Sequence, residues 1–388
     1  MPEKAVFVSR KRGRGRHAWV FSNEVQRTEG SPGLGDTVRV YNRSRFLGSG
    51  MYNPNSLIRV RLYSDEDEEL DLAFLKKRLE AAWQYRLDRL PGETDFRLAY
   101  GESDRIPGLV VDKYAGHFVI QTHAAAMDQR KELVVQALVE TFDAESVYEK
   151  NDFRLREPEG LERKEGVLYG KPSDRVIISE NGARFYVDFE RGQKTGYYYD
   201  QRITRRKVRE MAKGQRFLDV FSYTGGFAVN AALGGAREVI AVDGSVPAVN
   251  IAAANGELNR VGDRCRFEVA EAFGYLKELG RSKERFDIVC LDPPAFIKSQ
   301  REKEGGMRGF RVINALAMKV LPENGVLVTC SCSHYLFWQD MIDMLALAAQ
   351  DAGRSFVVVD RVTQGPDHPV LLAMPESEYL RCFILRVF

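Results

Sequence analysis

The chain has no uninterrupted apolar stretch near the roughly 20 residues that a membrane-spanning helix needs. Its start, Met1-Pro2-Glu3-Lys4, carries no apolar run of the kind that marks an export signal. A cytoplasmic protein without membrane association is the expectation. Cysteine is scarce: Cys265, Cys290, Cys330, Cys332 and Cys382 are five, an odd number, and most lie in apolar, strand-like segments. That argues against a disulfide framework and for reduced thiols. Only Cys330-Ser331-Cys332 forms a local cluster, and no second Cys or His pair stands at zinc-ligand spacing, so no metal is expected. Gly-x-Gly-x-x-Gly is missing too, which removes the pyrophosphate cradle of a nicotinamide dehydrogenase. Internal repeats and low-complexity tracts are absent.

What is present is ordinary for a soluble globular chain: 44% hydrophobic and 29% charged residues over 388 positions, enough for two or three domains. The formal net charge of +2 hides an asymmetry. Residues 1–64 hold twelve Lys/Arg against four Asp/Glu, a net of +8, which leaves −6 for the rest. A basic module on a mildly acidic body points to an anionic partner at one end.

Residues 1–64 read as short strands (5–8, 37–41, 46–50 and 57–62) broken by Gly and Asn, the spacing of a small curled β-barrel. The acidic run 64–69 reads as a linker that caps a helix, with Leu72, Leu75, Leu79, Ala82 and Trp83 at helical spacing. Strands at 96–100, 108–112, 117–121, 146–150 and 184–188, with a helix over 128–142, make a mixed α+β stretch. After about 190 strands and helices alternate, with strands at 216–221, 238–243, 266–269, 287–292, 325–329, 355–360 and 380–387. This rhythm predicts an α/β, Rossmann-like domain whose mostly parallel sheet is covered on both faces. The last two strands lack a helix between them, which predicts an antiparallel edge strand.

Four segments of that sheet carry chemistry. Phe217 to Phe227 runs from a buried strand into a Gly225-Gly226 turn at the edge where open α/β sheets bind ligands. The second strand ends on Asp243, placed for two ribose hydroxyls or, equally, for capping the next helix. The third ends on Glu271-Ala272, an acid where an adenine amino group would lie, or a solvated loop residue. After the fourth come Asp292-Pro293-Pro294-Ala295-Phe296. Two prolines fix the direction in which the chain leaves the sheet; Asp292 is then held by the cofactor and Phe296 can stack on a flat base.

The fifth strand delivers Thr329-Cys330-Ser331-Cys332-Ser333-His334. Residues two apart face the same way, so both thiols can point toward the Asp292 loop. Cytosine C5 is not nucleophilic by itself; thiolate addition at C6 makes it so, and cysteine suits that covalent role. Two small buried hydrophobes are the plainer alternative. Tyr197-Tyr198-Tyr199, just before the first Rossmann strand, would make a poor core strand and a good lid over a cofactor.

Together these motifs resemble the large-subunit ribosomal RNA cytosine-5 methyltransferases of the RlmI type, over essentially the whole chain. Gly35 to Val38 and Leu47 to Pro54 resemble the family's PUA part, and Gln193-Lys194-Thr195-Gly196 with Asp200-Gln201-Arg202 its segment before the first cofactor motif. The resemblance implies a PUA-like RNA-binding barrel over 1–70, a central α+β domain over 71–188 and a class I methyltransferase domain over 189–388. It also implies S-adenosyl-L-methionine as cofactor and 23S ribosomal RNA as partner; a homodimer is compatible with it. Gln201, Asp219, Phe221, Ser222, Tyr223, Gly225, Asp243, Glu271, Ala272 and Asp292 would contact the cofactor. Cys332 would be the nucleophile, with Asp292 and Cys330 beside it. Pro293, Pro294 and Phe296 would face the target base, and Arg10, Lys11, Arg12, Arg14 and Arg16 the RNA phosphates; His17 and Trp19 could stack on an unpaired base, with a core position equally open for Trp19. Two departures stand out: the strand-four loop reads Asp-Pro-Pro where such enzymes often carry a second cysteine, leaving the proton-removing base unassigned, and Glu271 replaces the more usual Asp. Methylation of an exocyclic guanine or adenine nitrogen, or a non-catalytic RNA-binding assembly factor, stay open as alternatives.

Overall fold

The computed structural model describes residues 4–10, 17–173, 175–297 and 299–388. They divide into two compact units. The first takes in Met1–Ile178, Val187–Tyr199 and Pro366–Ser377; the second takes in Ser179–Tyr186, Asp200–Gly365 and Glu378–Phe388.

In the first unit, short alternating stretches become β1 (Ala5–Val8), β2 (Trp19–Phe21), β3 (Val25–Glu29), β4 (Thr37–Asn42), β5 (Arg45–Tyr52) and β6 (Ile58–Ser64). Among the described residues they form a six-stranded sheet in the order β2-β6-β5-β4-β1-β3. Val6, Val8, Val20, Val38, Val40 and Val60 build its core, as the period of two in β1, β4 and β6 dictates. Gly48 lets β5 curl across β6: at φ +143° a Cβ there would sit 2.0 Å from the Ser64 carbonyl oxygen. Then α1 (Leu72–Arg89) begins on Asp71, whose carboxylate accepts from Phe74 N at 2.8 Å, so the cap lies just past the acidic linker expected to supply it.

A five-stranded sheet follows, with β7 (Phe96–Tyr100), β8 (Leu109–Tyr114), β9 (His117–Thr122), β10 (Ser146–Lys150) and β11 (Glu165–Gly170) in the order β11-β10-β9-β8-β7. The single turn α2 (Ala125–Asp128) precedes α3 (Lys131–Phe142), so the helix expected from 128 starts three residues later. A hairpin of β12 (Val176–Glu180) and β13 (Ala183–Val187) leads to the tyrosine segment. Two of the three tyrosines are core, not lid. Tyr199 stacks on Tyr114 at 5.4 Å and donates its hydroxyl to the Lys113 carbonyl at 2.8 Å, while Tyr197 packs edge-on against Tyr199. A satisfied hydroxyl removes the cost that made Tyr199 look unfit for burial.

The second unit opens with α4 (Arg202–Met211) and then alternates: β14 (Arg216–Val220), α5 (Gly226–Leu233), β15 (Glu238–Asp243), α6 (Val246–Leu258), β16 (Cys265–Val269), α7 (Ala272–Ser282), β17 (Ile288–Leu291), α8 (Lys303–Lys319), β18 (Val326–Ser331), α9 (Trp338–Ala352), β19 (Phe356–Val362) and β20 (Arg381–Val387). Its seven strands lie in the order β16-β15-β14-β17-β18-β20-β19. All neighbours are parallel except those of β20, which runs antiparallel to both β18 and β19. The antiparallel strand is therefore internal, and the edge expected for it belongs to β19. Burial agrees: six of seven β20 residues are buried, whereas Val357, Val358 and Val359 of β19 are exposed. Because β14 and β15 reverse the order of the sheet against β17, their carboxyl ends open the crevice where ligands bind.

Candidate active site

The turn after β14 is wound tightly. Phe221 and Tyr223 hold left-handed φ of 67° and 47°, and Gly225 follows at 79°. Non-glycine residues in that region carry strain that the surroundings must hold. They are held by Ser222 N donating to the Val242 carbonyl at 3.0 Å, and by Tyr223 N donating to Asp243 Oδ2 at 2.9 Å. The other Asp243 oxygen accepts from Ser245 N at 2.9 Å, and it is Ser245 that caps α6. Asp243 thus ties the end of β15 to the glycine turn. At Gly225 a Cβ would stand 3.0 Å from that of Ala252, so the turn packs directly on α6.

Beneath the turn, Asp219 is completely buried. Its Oδ2 accepts from Ala228 N, in the first turn of α5, at 2.9 Å. Burial pushes its carboxyl up to about 8; the Ala228 N–H works against this, and the charges of Asp292 and Asp243 add to it. Among the described residues, Asp219 Oδ1 and Ser222 Oγ are buried with no hydrogen-bond partner. Buried polar atoms are rarely left so, and two on one turn fit a polar ligand that brings amino or hydroxyl groups. Sequence reasoning passed over Arg205, whose Cδ lies 3.1 Å from where a Gly226 Cβ would be. Arg205 makes a buried two-point contact with Glu180, at 2.6 and 2.7 Å. Its signal was spacing: Arg202 and Arg205 are three apart, on one helix face.

Glu271 behaves differently from the adenine-facing acid expected. It is exposed and is the N-cap of α7, accepting from Phe273 N at 2.9 Å and Gly274 N at 2.7 Å. Those two backbone N–H groups hold its carboxyl below the usual glutamate range. Both oxygens accept from the helix, and Ala272, buried at the first helical position, lies beside them.

The loop after β17 carries Asp292, half-buried, whose Oδ1 accepts from Gln201 Nε2 at 3.0 Å. Pro293 is buried and Pro294 exposed. Phe296 packs on Phe310 at 4.8 Å and tilts toward Phe273 at 6.3 Å, so part of its ring is committed to the core.

The two cysteines of the fifth strand part company. Cys330 is buried and its sulfur is joined to that of Cys382, its direct partner across the β18–β20 ladder, with Cα atoms 4.2 Å apart. The expectation of reduced thiols throughout is corrected at this pair: an antiparallel partner strand faced Cys330 with a second cysteine. Cys330 is thereby withdrawn from any nucleophilic role. Cys332, one residue past the end of β18, keeps its thiol and is half-buried.

In the first unit, Arg10 is turned inward, not toward solvent. With 4% of its side chain exposed, its guanidinium donates to the carbonyls of His17 (2.9 Å) and Trp19; a phosphate contact is not available to it. Lys11, Arg12, Arg14 and Arg16 lie outside the described residues. His17 is buried, with Trp19 N donating to its Nδ1 at 3.0 Å, and Trp19 donates its indole N–H to Glu102 at 2.6 Å. The His17 ring is thus enclosed, while that of Trp19 is half-buried. A cavity of about 630 Å³ in this unit is bordered by Arg45, Phe46, Leu47 and Leu372; of the expected site residues it touches Arg10.

The pattern of a family described as S-adenosylmethionine-dependent methyltransferases matches residues 153–377, and that of a PUA-like domain matches 9–65. Ribosomal RNA large subunit methyltransferase I of Vibrio vulnificus is 41% identical over 379 residues, covering 96% of each chain. The protein of that name from Aeromonas salmonicida is 39% identical over 393 residues, covering 98% of this chain and 99% of its own. This chain belongs to the ribosomal RNA large subunit methyltransferase I family. Among solved structures, a Streptococcus mutans protein provisionally described as a SAM-dependent methyltransferase superposes with a TM-score of 0.83 at 21% identity, covering 99% of this chain and all of that one. The fold is therefore the Rossmann-like methyltransferase fold preceded by a PUA-like module, and the cofactor is S-adenosylmethionine. Among the described residues, no group of three or more His, Cys, Asp or Glu is arranged to hold a metal ion, and no helix is long and apolar enough to cross a membrane.

Proposed function

We propose that this enzyme methylates C5 of a cytosine in large-subunit ribosomal RNA, with Cys332 as the covalent nucleophile. The observation that carries the reading is the position of Cys332: a half-buried thiol just beyond β18, whose neighbour β17 ends at the Asp292-Pro293-Pro294 loop. S-adenosylmethionine supplies an electrophilic methyl group. Asp219, Ser222 and Asp243, with the backbone of Phe221, Tyr223 and Gly225, would hold it on the glycine turn, with Ala272 and the Glu271-capped start of α7 as the next neighbours.

The Cys332 thiolate adds to cytosine C6, which places the electron pair of the C5–C6 bond on C5. C5 takes the methyl group and the sulfonium leaves as the neutral thioether. A base then removes the C5 proton, the C5–C6 double bond re-forms, and Cys332 departs as thiolate. Asp292 orients the base by its amino group, and the exposed Pro294 gives the ring a rigid apolar rest, with Phe296 behind it. The basic run Lys11, Arg12, Arg14 and Arg16 binds phosphates within a 1–70 RNA-binding module; 71–188 is the central domain and 189–388 the methyltransferase domain. A ribosomal RNA acceptor puts the reaction in the cytoplasm.

The test is Cys332→Ala with tritiated S-adenosylmethionine and ribosomal RNA lacking its methyl marks, followed by mass spectrometry of the product nucleosides. The reading expects loss of 5-methylcytidine with cofactor binding intact. Methyl transfer at a near wild-type rate would exclude the thiol adduct and leave an exocyclic nitrogen as acceptor, a chemistry that Asp-Pro-Pro loops also serve.

A further inference from the structure

Gln201 is 2% exposed, at the start of α4, yet its amide ends face two different elements of the sheet, the loop after β17 and the end of β18. Nε2 donates to Asp292 Oδ1 at 3.0 Å, and Oε1 lies 3.9 Å from the Cys330 sulfur. A buried primary amide has two donors and one acceptor to place. With a carboxylate at one end, the donor end is fixed there and the amide cannot rotate without setting oxygen against oxygen. We infer that Gln201 is a positioning residue for Asp292 and not a direct holder of the cofactor. By engaging Oδ1 it fixes the carboxylate plane, and with it the direction from which Asp292 meets the acceptor base. The inference rests on the reading above, in which Asp292 orients that base.

A hydrogen bond to a charged group contributes about 1.5–3 kcal/mol, which corresponds to roughly 10- to 100-fold in rate if it is made in the transition state. Gln201→Leu should therefore lower kcat by about that factor. The Kd for S-adenosylhomocysteine, read by calorimetry, should change little. Gln201→Glu keeps the size of the side chain but opposes a carboxylate to Asp292. It should be at least as slow at pH 8 and regain part of its rate toward pH 6, as a proton shared between the two acids restores the bond. Asp219, which feels the charges of Asp292, Asp243 and Arg205, titrates in the same window. The ratio of variant to wild type at each pH therefore reads the charge added at position 201 together with any shift it causes at Asp219.

A Kd raised tenfold or more with kcat intact would make Gln201 a cofactor contact and overturn the inference. So would a Gln201→Glu enzyme whose ratio to wild type is flat with pH. Asp292→Ala, assayed alongside, separates the two levels. If it methylates normally, the role given to Asp292 fails; if it is inactive while Gln201→Leu is fully active, only the role of Gln201 fails. Should Gln201→Leu not fold, as read by its melting curve, the near-isosteric Gln201→Glu and its pH ratio still decide.

Discussion

Asp219→Asn tests the electrostatics under the glycine turn. The native carboxyl is completely buried and is pushed up to about 8, against an ordinary aspartate value near 3.8. Between those values the folded protein holds a proton that the unfolded chain has released. Unfolding then becomes easier as pH rises, by about 1.4 kcal/mol per pH unit for this group. The stabilising proton is fully present below about pH 4 and is lost as pH passes through the folded value near 8. From pH 5 to pH 7 the wild type should lose about 3 kcal/mol from this source alone, as an upper figure. The asparagine of the variant has no such proton to lose and can still offer an oxygen to Ala228 N. Urea unfolding of cofactor-free wild type and Asp219→Asn at pH 5, 6, 7 and 8 should therefore show the variant gaining on the wild type at each step up to about pH 8. A difference that stays constant across the series would refute the buried, protonated carboxyl.

Three further outcomes follow from contacts described above. Glu271→Ala removes both side-chain bonds to the first turn of α7 and should cost about 1 kcal/mol of stability, measured by urea midpoint, with the S-adenosylhomocysteine Kd within a fewfold of wild type. Arg205→Met takes the two-point partner from buried Glu180, leaving Arg202 at 3.8 Å to face it, and should destabilise by up to about 3–5 kcal/mol; adding Glu180→Leu should recover only part of the loss, because Arg202 then loses the same carboxylate, and a double-mutant cycle measures the remainder. Gly225→Val places a branched side chain at φ +79° and against Ala252 of α6. It should abolish cofactor binding by calorimetry, whereas Gly280→Ala, with open space around its Cβ position and no left-handed φ, should leave binding intact.

The second unit was legible because its central strands are buried on both faces and read as unbroken apolar runs, such as Ile288–Leu291, separated by helical patterns. The first unit was only partly legible. β2 is three residues long, and β3 (Val-Gln-Arg-Thr-Glu) buries none of its side chains, so neither has an apolar period to detect. The site divided along a similar line. Asp219, Asp243 and Asp292 sit at strand ends, where topology fixes position. Arg10, His17, Tyr197 and Tyr199 end elsewhere than expected because their surroundings depend on partners outside their own segment: Glu376 for His17, Tyr114 and Lys113 for Tyr199. The pairing of Cys330 with Cys382 likewise needs the knowledge that the last strand enters the sheet beside β18, which no local pattern supplies.

The chain leaves the second unit after Gly365, contributes Pro366–Ser377 to the first, and returns at Glu378. In that excursion the carbonyl of Asp367 accepts from the fully buried Arg86 at 2.8 Å, and the carbonyl of Ser377 accepts from the Tyr100 hydroxyl at 3.0 Å. A fragment ending near residue 188 would thus leave Arg86 short of a hydrogen-bond partner inside its own core. The complementary fragment would carry Tyr197, Tyr199 and the excursion with nothing to fold against. A single cut at that point therefore leaves neither piece with its full set of partners, so the first unit reaches completion only after residue 377 has been made.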